Sequence, residues 1–121
     1  MPDVDPHLMP ADRVITEDQE WGRLVWMVSG RQGNSTTMTV GRCYLDPGQQ
    51  NPRHYHPNCD EVLHVLQGRI LHSVDDATFE MGPGDTVSIP SGKVHNARNL
   101  GTEQAIFVIS FSDPDRQTVG E

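Results

Sequence analysis

The chain has 121 residues, 35% of them hydrophobic, and carries 9 Lys and Arg against 17 Asp and Glu, a net charge of −8. That length suits one domain with a real core. An acidic chain without a basic cluster argues against nucleic acid or an anionic membrane as partner, and the longest apolar run, 105–109, is far too short to span a bilayer.

Residues 1–20 are rich in Pro and Asp and have little period. They read as an N-terminal arm that is partly ordered or packs on a partner subunit. Loose alternation over 21–29 predicts a first strand, and Gly, Gln and Asn over 30–34 a loop. The Thr and Val content of 35–45 predicts a second strand. Asp46-Pro47-Gly48 is a turn, followed by strands at 53–56 and 60–67. Gly68 bends the chain into a strand over 69–74, and Asp75-Asp76 turns it into 77–81. Gly82-Pro83-Gly84-Asp85 is a strong turn signal. Strands at 86–89, 94–99 and 104–112 follow, then a polar tail over 113–121. There is no helical period and no repeat. Short strands punctuated every eight to twelve residues predict an all-β barrel or sandwich over 21–112.

Four residues of metal-ligand type stand out. His54, His56 and Glu61 sit in the pattern Gly48-x5-His54-x-His56-x4-Glu61-x6-Gly68, and His95 in Gly84-x5-Pro90-x-Gly92-x2-His95-x3-Asn99. Side chains at i and i+2 of a strand share a face, so His54 and His56 point together and Tyr55 away. Pro57 to Asp60 read as a tight turn that lets Glu61 open a neighbouring strand. Pro90 to Lys93 read as another, delivering His95. Three imidazoles and a carboxylate suit one divalent first-row transition metal: iron, manganese, nickel, copper or zinc.

These two segments resemble both signature motifs of the cupin superfamily, at all ten fixed positions and in order. The 15 residues between them look like the short form of compact single-domain cupins, similar to the quercetin-dioxygenase-like group. The resemblance covers roughly 35–112. It implies a double-stranded β-helix, or jelly roll, with His54, His56, Glu61 and His95 as the metal ligands. Gly48, Gly68, Gly84, Pro90 and Gly92 are assigned to turns, and Asn99 to a hydrogen-bonded turn.

Parity places Leu63 and Val65 inward with Glu61, and Val62, His64 and Leu66 outward. His64 is therefore not a ligand, and the apolar outer face predicts a homodimer. His72 reads as a surface or core histidine. Cys59 reads as a small buried turn residue and Cys43 as core. Two faces of the strand around residue 42 are possible. With Arg42 and Tyr44 inward, the pocket gains an anion clamp and an acid–base group, making Tyr44 the candidate catalytic residue. With Thr37, Thr39, Gly41, Cys43 and Leu45 inward, it is nearly neutral. Lys93, Arg53 and Arg98 lack ligand parity. The substrate expected is a small, weakly polar organic molecule rather than a phosphorylated sugar.

A metal with four protein ligands keeps two of six positions open. The leading expectation is a dioxygenase-type oxidoreductase. The alternatives are a non-oxidative lyase, isomerase, decarboxylase or cyclase, and a small-ligand-binding domain without turnover. Two cysteines make no disulfide framework and the N-terminus shows no signal peptide, so a cytoplasmic location is expected.

Overall fold

A computed structural model describes residues 7–121. After a short 3-10 turn at Ala11–Arg13 come eleven strands: β1 Ile15–Gln19, β2 Gly22–Val28, β3 Thr39–Leu45, β4 His54–Tyr55, β5 Glu61–Gln67, β6 Ile70–Val74, β7 Ala77–Met81, β8 Thr86–Ile89, β9 His95–Asn99, β10 Ala105–Phe111 and β11 Val119–Gly120. They form a six-stranded sheet in the order β1-β2-β3-β10-β5-β8 and a five-stranded sheet in the order β11-β4-β9-β6-β7. Every pairing between named strands is antiparallel. The predicted all-β jelly roll is the fold.

Alternation explains how the sheets meet. Along β3, Thr39, Gly41, Cys43 and Leu45 are buried while Val40, Arg42 and Tyr44 face outward. Along β10, Ala105, Phe107, Ile109 and Phe111 are buried. The inward residues of the six-stranded sheet, Leu45, Leu63, Val65 and Phe107, join Ile70, Met81 and Ala97 of the other in one core. Leu45, Val65 and Ile70 have 0% of their surface exposed, which stabilises the fold by about 1.5–3 kcal/mol for each side chain. Gly41 lies under an indole: a Cβ there would stand 2.5 Å from the Trp26 ring. Gly68 has φ +85° and a Cβ would crowd Ala105 at 3.0 Å, so both conformation and packing require glycine.

Two elements escape the sequence pattern. Residues 15–19, expected within the arm, form an edge strand on β2, with Ile15 opposite Trp26. Within the expected tail, β11 pairs with β4, Val119 opposite Tyr55. The acidic segment Ile-Thr-Glu-Asp-Gln is exposed at three of five positions, so its pairing leaves little apolar signal. Residues 1–6 of the expected arm lie outside the described residues. Among the described residues, no helix is long and apolar enough to cross a membrane.

Candidate metal centre

The tetrad is built from both sheets. His54 on β4 is the cross-strand partner of His95 at the start of β9, and Glu61 opens β5 in the opposite sheet. The two turns expected to deliver them lock together. Gly92 N–H donates to the His56 carbonyl at 3.0 Å, and Ser91 N–H to Asp60 Oδ1 at 2.9 Å. The Ser91 hydroxyl donates to the His56 and Pro57 carbonyls at 3.1 and 3.0 Å. Gly92 has φ +85° with open space around it, so glycine is required there by backbone conformation alone.

The ligand atoms of His54, His56, Glu61 and His95 all lie within 4.8 Å of one another. Glu61 Oε1 is 2.9 Å from His95 Nε2 and 3.1 Å from His56 Nε2. His56, Glu61 and His95 are buried, at 3%, 4% and 3% exposure. Each imidazole uses its other nitrogen on a backbone carbonyl: His54 Nδ1 on Pro52 O at 2.7 Å, His56 Nδ1 on Gln117 O at 2.8 Å, His95 Nδ1 on Lys93 O at 2.8 Å. A carbonyl only accepts, so each Nδ1 carries the proton and each Nε2 presents a lone pair. His56 Nε2, despite its proximity to Glu61, has no hydrogen bond.

With all three rings neutral, three lone pairs and a carboxylate thus converge with no donor among them. Buried acceptors facing one another are costly unless a cation lies between. The donor set fits a divalent transition metal, which His54, His56, Glu61 and His95 would hold. A proton on His95 Nε2 would also relieve the clash, since that nitrogen lies at hydrogen-bond distance, 2.9 Å, from Glu61 Oε1. Burial acts to lower the His95 pKa, but Glu61 outweighs it and raises it. Burial acts to raise the Glu61 pKa, but the His56 and His95 nitrogens bring it down to about 2. Burial lowers His54 to about 4.

The tetrad sits in a cavity of about 420 Å³. Leu24, Trp26, Leu63, Phe107, Ile109 and Phe111 make its apolar walls. The structure decides the open question at β3: Cys43 lines this cavity, whereas Arg42 and Tyr44 line a separate one on the outside of the sheet. Tyr44, the candidate catalytic residue, is therefore misplaced, because the alternation of β3 that buries Cys43 sends the phenol to the other face. Its ring lies 5.7 Å beneath the Arg42 guanidinium. Cys59 is a buried turn residue outside the ligand cluster, its thiol pushed up to about 11 by burial. His64 is turned outward, with Nδ1 2.7 Å from Thr86 Oγ1. Asn99 holds its turn as expected: Nδ2 donates to Leu45 O and Glu103 O, both at 2.9 Å, and Oδ1 accepts Gly101 N–H at 2.8 Å.

Other cavity residues carried no sequence signal. Arg53 reaches the rim despite its parity, because it precedes a two-residue strand and alternation does not extend to it. Its guanidinium meets Glu121, Ser73 and the Asp75 carbonyl. Glu17 comes from β1 and accepts the Trp26 indole N–H. His72 is wholly buried and lines the cavity. Its ring stacks on Phe79 at 5.6 Å and His95 at 6.1 Å, and neither nitrogen has a partner. Arg116 comes from the C-terminal segment and lies over Trp26 at 4.2 Å.

The cupin domain family matches residues 41–111. The chain belongs to the cupin family. This cupin is 33% identical to germin-like protein 3-8 of Oryza sativa subsp. japonica over 84 residues, 65% of this chain and 37% of that protein. It is 26% identical to polyketide synthase CurC of Streptomyces cyaneus over 107 residues, 88% of this chain and 70% of that protein. In fold it resembles the oxalate decarboxylase of Lactobacillus farciminis, solved as a formate complex, with TM-score 0.83, 23% identity, and coverage of 90% of this chain and 34% of that one. The Bacillus subtilis oxalate decarboxylase, studied for its Mn(II) centres, superposes with TM-score 0.80 at 24% identity, covering 87% of this chain and 29% of that one. The cupin therefore spans little more than a third of the rice relative and of the Lactobacillus decarboxylase.

Proposed function

We propose that this cupin is a divalent-metal enzyme that transforms a small, oxygen-bearing organic molecule without dioxygen, as a lyase, decarboxylase, isomerase or cyclase. The observation that carries the proposal is the convergence of three Nε2 lone pairs and the Glu61 carboxylate on one point at the wall of an apolar cavity. A bound divalent metal supplies Lewis acidity, polarising a coordinated carbonyl, carboxylate or enolate and acidifying a bound water.

The chain's own residues do the remainder. The three Nδ1–H donations to carbonyls hold the rings in the ligating tautomer. The apolar walls displace water from the substrate's body and strengthen every polar contact at its reacting end. Glu17 and His72 are the carboxyl and imidazole in the cavity outside the tetrad, and so replace Tyr44 as groups able to carry a proton. The relatives support the non-oxidative alternative over the dioxygenase first expected, since those with a named chemistry are oxalate decarboxylases and a polyketide synthase.

The test is elemental analysis of protein purified without added metal, followed by turnover of β-dicarbonyl, 2-oxo-acid and polyketide-like substrates with and without oxygen. Expected are near-stoichiometric divalent metal and a product that forms equally under argon. Oxygen consumption in step with product would return the reading to a dioxygenase. A tightly held small molecule that is never converted would make the chain a binding protein.

A further inference from the structure

Nothing in the tetrad says what grips the part of a substrate that lies away from the metal. We propose that Arg116 is the anion-binding residue of the cavity and that the substrates are small organic acids: an oxygen-bearing end at the tetrad, an apolar body along the walls, and a carboxylate on Arg116. The proposal rests on the metal-enzyme reading and names its substrate class.

Arg116 is the cavity's uncommitted cation. Its guanidinium lies 4.2 Å over the Trp26 ring and 5.2 Å from the Phe111 ring, both of them cavity walls. Its polar contact is Nη1 with the Thr118 hydroxyl. Among the described residues, no carboxylate approaches it within ion-pair distance, whereas Arg53, the cavity's other arginine, is paired with Glu121 at 2.9 Å. Both carboxylates of the cavity are engaged elsewhere. Glu61 belongs to the tetrad, and Glu17 accepts the Trp26 indole N–H while Arg31 stands 4.0 Å away.

A half-buried guanidinium without a counter-ion costs free energy, and a carboxylate matches its planar fork in a bidentate fashion. The group is also held in place beforehand. Asn58 Nδ2 donates to the Asp115 carbonyl at 2.8 Å and its Oδ1 accepts Gln117 N–H at 2.9 Å. The residues on either side of Arg116 are thus pinned to the turn that separates His56 from Glu61. Stacking on two core aromatics fixes the guanidinium plane. Preorganisation of this kind lowers the ordering cost of binding an anion.

A matched pair of chelators tests this on Mn(II)-loaded protein: 3,4-dihydroxybenzoate and 4-methylcatechol share a metal-binding head and differ in a carboxylate against a methyl. Calorimetry is expected to show the acid binding at least about tenfold tighter, as one charged hydrogen-bonded contact supplies. Arg116→Met abolishes that preference while metal content and 4-methylcatechol affinity stay within about twofold; Arg116→Lys, which keeps the charge but not the fork, restores part of it. Equal binding of the two probes by the unsubstituted protein overturns the assignment. So does an Arg116→Met protein that weakens both probes alike, which would mark a purely packing role. Failure to take up Mn(II) or any other divalent first-row transition metal sinks the metal-enzyme reading itself, and the Arg116 assignment with it.

Discussion

The His54 and His95 rings stand 4.4 Å apart, centroid to centroid, because their residues face each other across the β4–β9 ladder. A one-residue slip of that register would send one imidazole to the outer face. The Gly92–His56 hydrogen bond between the two flanking turns opposes such a slip, so the motif glycine contributes to the geometry of the tetrad without belonging to it.

His56 depends on a distant part of the chain, since its Nδ1 proton goes to the Gln117 carbonyl. His56→Ala is expected to abolish stoichiometric metal while far-ultraviolet circular dichroism stays that of a β-protein. Removal of residues 113–121 should keep the ligand but release its orientation, weakening metal about 10–100-fold, the usual cost of losing a partner that orients a ligand. Metal titration of the two variants checks both. Full metal retention by His56→Ala would disprove the ligand assignment.

Metal-free protein should lose stability on acidification. Burial holds His54 and His72 at about 4, below the unfolded value of 6.5. The unfolded chain then binds more protons between those values, so the stability they contribute is present above 6.5 and is lost as pH falls towards 4. Glu61, at about 2 against 4.5, adds a loss below 4.5. His95, raised by Glu61, acts in the opposite direction: its contribution is full below 6.5 and is lost as pH rises through its folded value. Metal must displace any proton held at His95 Nε2, so uptake should release more protons at lower pH than at higher pH. Melting curves in chelator from pH 4 to 8, and calorimetry in buffers of different ionisation enthalpy, measure the two effects. A melting temperature that rises on acidification below 6.5 would contradict the burial of these imidazoles.

Tyr44→Phe should leave metal content unchanged and turnover within about twofold, with stability within ±0.5 kcal/mol, as for a surface change away from any special feature. Steady-state kinetics and thermal melting decide it. A tenfold fall in turnover with metal retained would return the phenol to the mechanism.

We propose that the homodimer expected from parity would form through the outside of the six-stranded sheet. Val62 and Leu66 are 42% and 50% exposed there, beside the partly covered Ile106 and Val108 of β10. A second copy of the chain would bury them. Light scattering should give twice the monomer mass, and Val62→Lys with Leu66→Lys should halve it. A monomer at millimolar concentration would remove the claim.

The sequence by itself determined the tetrad, the turn glycines, the role of Asn99 and the facing of β5. The shared face of His54 and His56, the turns and the facing of β5 follow from local rules, a period of two in strands and positive φ at glycine, whereas the ligand set and the role of Asn99 rest on the resemblance to the cupin motifs. It also bounded nine of the eleven strands closely. It missed β1 and β11, which are held by backbone pairing with few apolar residues to advertise them. Only the tertiary structure decided that Tyr44 faces away, since both faces of β3 were chemically plausible and burial against the second sheet selects one. The same holds for Glu17, His72 and Arg116. They reach the cavity from an edge strand, the opposite sheet and a C-terminal segment pinned by Asn58. Such convergence is set by the closure of one sheet on another, a long-range packing condition that no local pattern of residues encodes.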